Sequence, residues 1–134
     1  MAALNMGHCL PLNIETIRMN VKKKIGNYAL GYYIENPNTN GFRFITHYVG
    51  RSDNDLQTEI IQQGIRLKKG ENGTPIFSHF KFIYTTTPKK AYLKECKDFH
   101  AFGGSEGLHN QRHPKRPSGF TNETLHCSKL TCLD

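Results

Sequence analysis

The chain has 134 residues, with 18 Lys+Arg against 11 Asp+Glu, a formal charge of +7 and a pI near 9.3. That length suits one domain with one modest core, and no apolar run approaches the ~20 residues a membrane helix needs. A chain this basic is a candidate for binding a polyanion, because neutralising phosphates releases their counterions. Hydrophobic residues make up only 37% of the chain, so loops take a large share, while eight Phe and six Tyr supply bulk for a core.

The segment from Met1 to Leu12 has no basic n-region and too short an apolar stretch for a secretory signal. A cytoplasmic location is therefore expected. In that compartment Cys9, Cys96, Cys127 and Cys132 read as thiols or metal ligands ahead of disulfides. Cys96, at a buried helix position, reads as a small hydrophobe.

In chain order, Asn13 caps a short helix from Ile14 to about Asn20, with Glu15 in its first turn favouring the positive helix end. Lys22, Lys23 and Lys24 form a basic connector. Asn27 to Ile34, rich in Tyr, Leu and Ile, reads as a strand. The turn formers Asn36 to Gly41 follow, and Phe42 to Val49 returns as the second arm of an antiparallel hairpin. Ser52 or Asp53 caps a helix to about Gln63, with Leu56, Ile60 and Ile61 facing inward and Gly64 as its stop. Lys68 to Pro75 is a polar loop. Ser78 to Tyr84 alternates as a third strand, and Pro88 opens a helix to about Phe102, ended by Gly103 and Gly104. Beyond Ser105 periodicity disappears. The expectation is a single α+β domain over 1–134, a three-stranded antiparallel sheet flanked by helices. Its core spans about 25–115, and 116–134 is an irregular tail.

Several residues carry possible chemistry. Glu95 shares its helix face with Ala91, Tyr92 and Phe99. A carboxylate among apolar residues needs a partner, and Mg²⁺ or Mn²⁺ is one that also binds substrate phosphate. Tyr28 and Tyr48 stand beside glycines in neighbouring strands, where a phenol could orient or deprotonate a water if a cation lowered its pKa. Arg51 could grip a phosphate with its guanidinium fork. Asn110 could orient a water, a phosphate or the glutamate. His79 and Lys81 on the third strand, with Arg112, Lys115 and Arg116, are candidates for backbone contacts to a nucleic acid. Cys127 and Cys132, with His126 and, from the far end of the chain, His8 and Cys9 as further donors, could hold a structural zinc, although a four-residue spacing is a loose knuckle.

Taken together, Gly26-Asn27-Tyr28, Tyr48-Val49-Gly50, Glu95 and Asn110 resemble the GIY-YIG nuclease family over about Gly26 to Pro114. The longer string Tyr48 to Asp53, Ser78 to Phe82, Glu95-Cys96 and Asn110 to Pro114 is similar to small stand-alone bacterial and phage members. The resemblance implies metal-dependent endonuclease chemistry, on DNA ahead of RNA. Glu95 would hold Mg²⁺ or Mn²⁺ against the scissile phosphate, Tyr28 would activate or position the attacking water, and Tyr48 would support that network. An arginine would neutralise charge in the transition state.

Two features depart from the family pattern. Tyr28 and Tyr48 lie 20 positions apart, longer than usual, which requires a longer hairpin. The helix after the second motif reads Leu56-Gln57-Thr58-Glu59-Ile60, with Glu59 about where the family places its arginine. Arg51 takes over that role, or Arg66 reaches in, or the chain is a weak or inactive nuclease. The alternative to an enzyme is therefore a nucleic-acid- or protein-binding module, an inhibitor or accessory protein that keeps the fold.

Overall fold

The computed structural model describes residues 4–36, 38, 41–68, 77–110, 112–121 and 123–127; the side chains of 36, 42 and 66–68 fall outside that description. The element order is β1 (Leu10–Pro11), α1 (Ile14–Asn20), β2 (Gly26–Asn36), β3 (Gly41–Ser52), α2 (Leu56–Lys68), β4 (His79–Tyr84), α3 (Pro88–Ala101) and α4 (Gly104–Gly107). The α+β class holds, but the sheet has four strands instead of three, in the order β1-β4-β2-β3. The added strand is short: Leu10 pairs with Phe80 and Pro11 with His79. A proline suits such an edge position, where its missing N–H costs no ladder bond.

All neighbouring strands run antiparallel, and β2 is central between β4 and β3. Alternate residues of β2 feed two cores. Tyr28 and Leu30 pack with Ile17 of α1, Leu56 and Ile60 of α2, and Phe80 on one face. Ala29 on the opposite face packs with Val49, Phe99 of α3, Leu108, and Leu4 and Met6 from the N-terminal segment. Burial of these side chains, at roughly 1.5–3 kcal/mol for each large one, is what holds the helices to the sheet.

Asn13 caps α1 as expected, its side chain accepting from Thr16 N. Thr87 caps α3 by accepting from Lys90 N, with Pro88 at the first position. The cap of α2 is neither Ser52 nor Asp53. Asp55 accepts from Thr58 N at 3.0 Å and from the Thr58 hydroxyl at 2.8 Å, while Ser52 Oγ accepts from Asp55 N at 2.9 Å. Nor does α2 stop at Gly64; it runs on to Lys68. A Cβ on Gly64 would lie 2.9 Å from Leu12 Cδ1, so glycine is kept there by close approach. Its helical penalty of about 1 kcal/mol is offset by that packing. The predicted loop over 68–75 lies outside the described residues except for Lys68, as do positions 37, 39 and 40 of the hairpin turn.

Gly103 takes φ +100, a left-handed conformation that ends α3 where expected. Past α4 the described residues form no helix or strand. No described helix is long and apolar enough to cross a membrane.

Candidate active site and a cysteine-histidine cluster

β3 is an edge strand, so residues from both of its faces reach one cavity beside it. That cavity, of about 480 Å³, is lined by Tyr28, Tyr48, Gly50, Arg51, Asp53, Glu59, Gln63, Glu95 and Lys115. Four of the five expected catalytic residues, Tyr28, Tyr48, Arg51 and Glu95, therefore meet although they come from three separate elements.

The meeting depends on strand register. Tyr28 of β2 pairs with Gly50 of β3, and the Tyr28 ring crosses over that glycine toward the strand's outer edge. A Cβ on Gly50 would lie 2.5 Å from both Tyr28 Cζ and its hydroxyl. The hydroxyl then donates to Glu59 Oε2 at 3.0 Å. The Tyr48 ring lies beside Tyr28, centroids 6.2 Å apart. Burial lifts the Tyr28 pKa well above its ordinary value, and the negative charge of Glu59 adds to the effect. The phenol proton of Tyr28 is thus directed at Glu59.

Glu95 reaches the cavity from the buried face of α3. Asn27, itself fully buried, fixes that helix: its amide donates to the Ala91 carbonyl at 2.8 Å, one turn before Glu95. Arg51 Nη1 donates to Glu95 Oε1 at 2.6 Å, and its Nε donates to Asp53 Oδ1 at 2.9 Å. Nη2 donates to the Lys115 carbonyl. The guanidinium also lies over the Tyr92 ring, 5.4 Å from its centroid, within reach of a cation–π attraction. Burial pushes the Glu95 carboxyl up to about 7 in spite of the opposing pull of Arg51. Three carboxylates (Asp53, Glu59, Glu95) thus face two cations (Arg51, Lys115) in one cavity.

Asn110 is placed elsewhere. Its Oδ1 accepts from Val49 N at 3.0 Å and its Nδ2 donates to Val49 O at 2.8 Å. Both ends of the amide are spent clamping the backbone of β3 two residues before Arg51, and Asn110 does not line the cavity. Arg66's side chain lies outside the described residues.

Of the basic residues, Lys115 lines the cavity and also a neighbouring concavity of about 590 Å³ shared with Arg112, Arg116 and Phe120. Arg112 is exposed. Arg116 donates to Leu125 O at 2.8 Å and lies over Tyr92, 5.9 Å from its centroid. His79 and Lys81 line neither. His79 packs on Tyr33, and Lys81 lies over Phe44 beside Leu4 and Met6 in a separate hollow.

The pairing of Cys127 with Cys132 is not tested, since Cys132 lies outside the described residues. Cys127 instead meets Cys96, His100 and His113, whose ligand atoms all lie within 4.8 Å of one another and which could hold a metal ion. Cys96 and Cys127 sulfurs are bonded to each other, with Cα atoms 6.1 Å apart. Cys96 is fully buried beside Tyr92 and Leu125, as its reading as a small hydrophobe expects; Cys96-x₃-His100 in addition sets both side chains on one helix face. Cys9 is a free cysteine, and it, His8 and His126 stand outside the group. Glu59 and Asp53 were also missed as site residues.

Comparison of the chain with protein-family models, with curated proteins and with solved structures finds no match.

Proposed function

We propose that the protein is a metal-dependent endonuclease of the GIY-YIG type, acting on DNA. The observation that carries this reading is the convergence of Glu95, Arg51, Tyr28, Tyr48 and Glu59 on one cavity at the edge of the sheet. With Glu95 ionised, three carboxylates against two cations would repel a phosphodiester, so phosphate entry calls for added positive charge. Carboxylate oxygens are the donors that Mg²⁺ and Mn²⁺ prefer, so Glu95 would hold such an ion, with Asp53 and Glu59 lining the same cavity. A divalent cation held there would supply Lewis-acid neutralisation of a phosphoryl oxygen.

The chain's own residues do the rest. Tyr28 donates to Glu59 and so presents its oxygen lone pair to a water. Glu59 is the final proton acceptor, which gives the acidic residue a use in place of the family's helix arginine. Arg51, tethered by Asp53 and lying over Tyr92, would offer its charge to the developing phosphorane oxygens. Lys115 and Arg112 hold the flanking backbone.

A second reading has its own support. Arg51 is already engaged by Asp53, Glu95 and the Lys115 carbonyl, an arrangement suited to a binding module with a closed site. The test is incubation of duplex, branched and single-stranded DNA, and of RNA, with Mg²⁺ or Mn²⁺ and with EDTA. Metal-dependent cutting supports the enzyme. Binding without cutting of any substrate supports the module.

A further inference from the structure

We propose that Cys96, His100, His113 and Cys127 form a structural zinc site that fastens the irregular segment 112–127 to the helix carrying Glu95. This does not depend on the nuclease reading.

The four donors come from three places: one turn of α3, the loop before Pro114 and the tail. His100 Nε2 lies 3.2 Å from His113 Nε2 and 3.2 Å from Cys127 Sγ. His113 Nε2 lies 3.4 Å from each of Cys96 Sγ and Cys127 Sγ. A tetrahedron with Zn–N of about 2.0–2.1 Å and Zn–S of about 2.3 Å has N–N edges of about 3.3–3.4 Å and N–S edges of about 3.5–3.6 Å. The nitrogen–nitrogen separation and these three nitrogen–sulfur separations are close to those edges, and all four ligand atoms lie within 4.8 Å of one another. Only the two sulfurs, bonded to each other, are nearer than the tetrahedron allows; the zinc site is that of the reduced pair, reached when a thiol reductant takes up the bond by exchange and is itself oxidised to a disulfide, leaving two cysteine thiols.

The tautomer of His113 supports the assignment. Its Nδ1 faces the Pro114 carbonyl at 2.9 Å. A carbonyl only accepts, so Nδ1 carries the proton and Nε2 turns its lone pair into the cluster. This is the outer hydrogen bond that orients metal-bound histidines. A simple disulfide has no use for two imidazole nitrogens brought within reach of both sulfurs and of each other. Zn²⁺, bound by two thiolates and two imidazoles, would account for all four, and the two reduced cysteine thiols would release their protons on binding.

The site also meets a need of the fold. The described residues after Gly107 have no helix or strand, and Leu125 and Cys127 are buried beside Tyr92 and Cys96. Small domains commonly secure such segments with a metal or a crosslink. The clamp holds Lys115 at the cavity and keeps Arg116 over Tyr92.

The test uses the full chain purified without added metal. The expected results are about one zinc per chain and, after denaturation with EDTA, four titratable thiols. Replacement with Co²⁺ should give the visible bands of a tetrahedral thiolate site. Cys127→Ser and His113→Ala should each lose the metal, whereas Cys132→Ser should keep it. A metal-free protein with at most two titratable thiols and a Cys96–Cys127 crosslinked peptide would overturn the proposal. So would zinc retained in full by a His100→Ala, His113→Ala double variant. The Co²⁺ spectrum of the unmutated chain decides the matter even where a variant does not fold.

Discussion

The Tyr28 ring lies across Gly50, its strand partner, so that its hydroxyl emerges at the sheet edge within 3.0 Å of Glu59. Any side chain at position 50 would occupy the space of that ring. Gly50→Ala is expected to displace Tyr28 and to cost about 1–3 kcal/mol of stability, as overpacking does. Urea unfolding would read the loss, and cutting by the folded fraction should fall with it. Tyr28→Phe keeps the ring and should stay within about 1–2 kcal/mol of the parent. It should nonetheless slow cleavage by about 10²-fold or more if the hydroxyl relays a proton.

Much of this arrangement was legible in the sequence, and the reasons differ between elements. Strands β2, β3 and β4 and helices α1 and α3 announce themselves through apolar patterning, Asn13 and Pro88. The two-residue β1 has no pattern to read, because two residues show no period. Gly64 reads as a helix stop because propensity is local, whereas its fit against Leu12 is tertiary. Glu59 looked like a misplaced charge because only the fold reveals that Tyr28 points at it. Cys96 and His113 are distant in sequence, and their meeting depends on how the tail folds back.

Glu95 gives a pH signature. Its folded pKa, about 7, lies above the ordinary 4.5 because burial disfavours the charge. The folded state therefore binds the proton more tightly than the unfolded chain does. Its contribution to stability is fully present below about 4.5, is lost as pH rises to about 7, and is flat above. Glu95→Gln should remove this slope, so the stability difference between parent and variant should shift by up to about 3 kcal/mol between pH 4 and 8. Paired urea melts at several pH values would show it; parallel curves would refute it. Metal-dependent cutting should rise over the same interval as the carboxylate forms.

Asn110 separates a structural role from a catalytic one. Its amide makes two hydrogen bonds to Val49 and does not line the cavity. Asn110→Ala should cost about 1–3 kcal/mol in stability through the unpaired buried backbone groups. The fraction that remains folded should cut at nearly the parental rate. A large fall in kcat with stability unchanged would return Asn110 to the chemistry.

The exposed cations answer to salt. Lys115→Ala and Arg112→Ala should each weaken DNA binding across sequences and reduce the slope of log K against log salt by about one. The same change at Lys81, which faces a separate hollow, should leave that slope near the parental value. Fluorescence anisotropy over a salt series would make the comparison.

The most direct measurement is single-turnover cleavage of labelled DNA by the parent and Glu95→Ala side by side in Mg²⁺ or Mn²⁺, with binding measured on the same samples in EDTA. The account predicts cutting by the parent that vanishes in Glu95→Ala while the variant stays folded and still binds. Equal cutting by both proteins, or binding with no cutting by the parent, would contradict it.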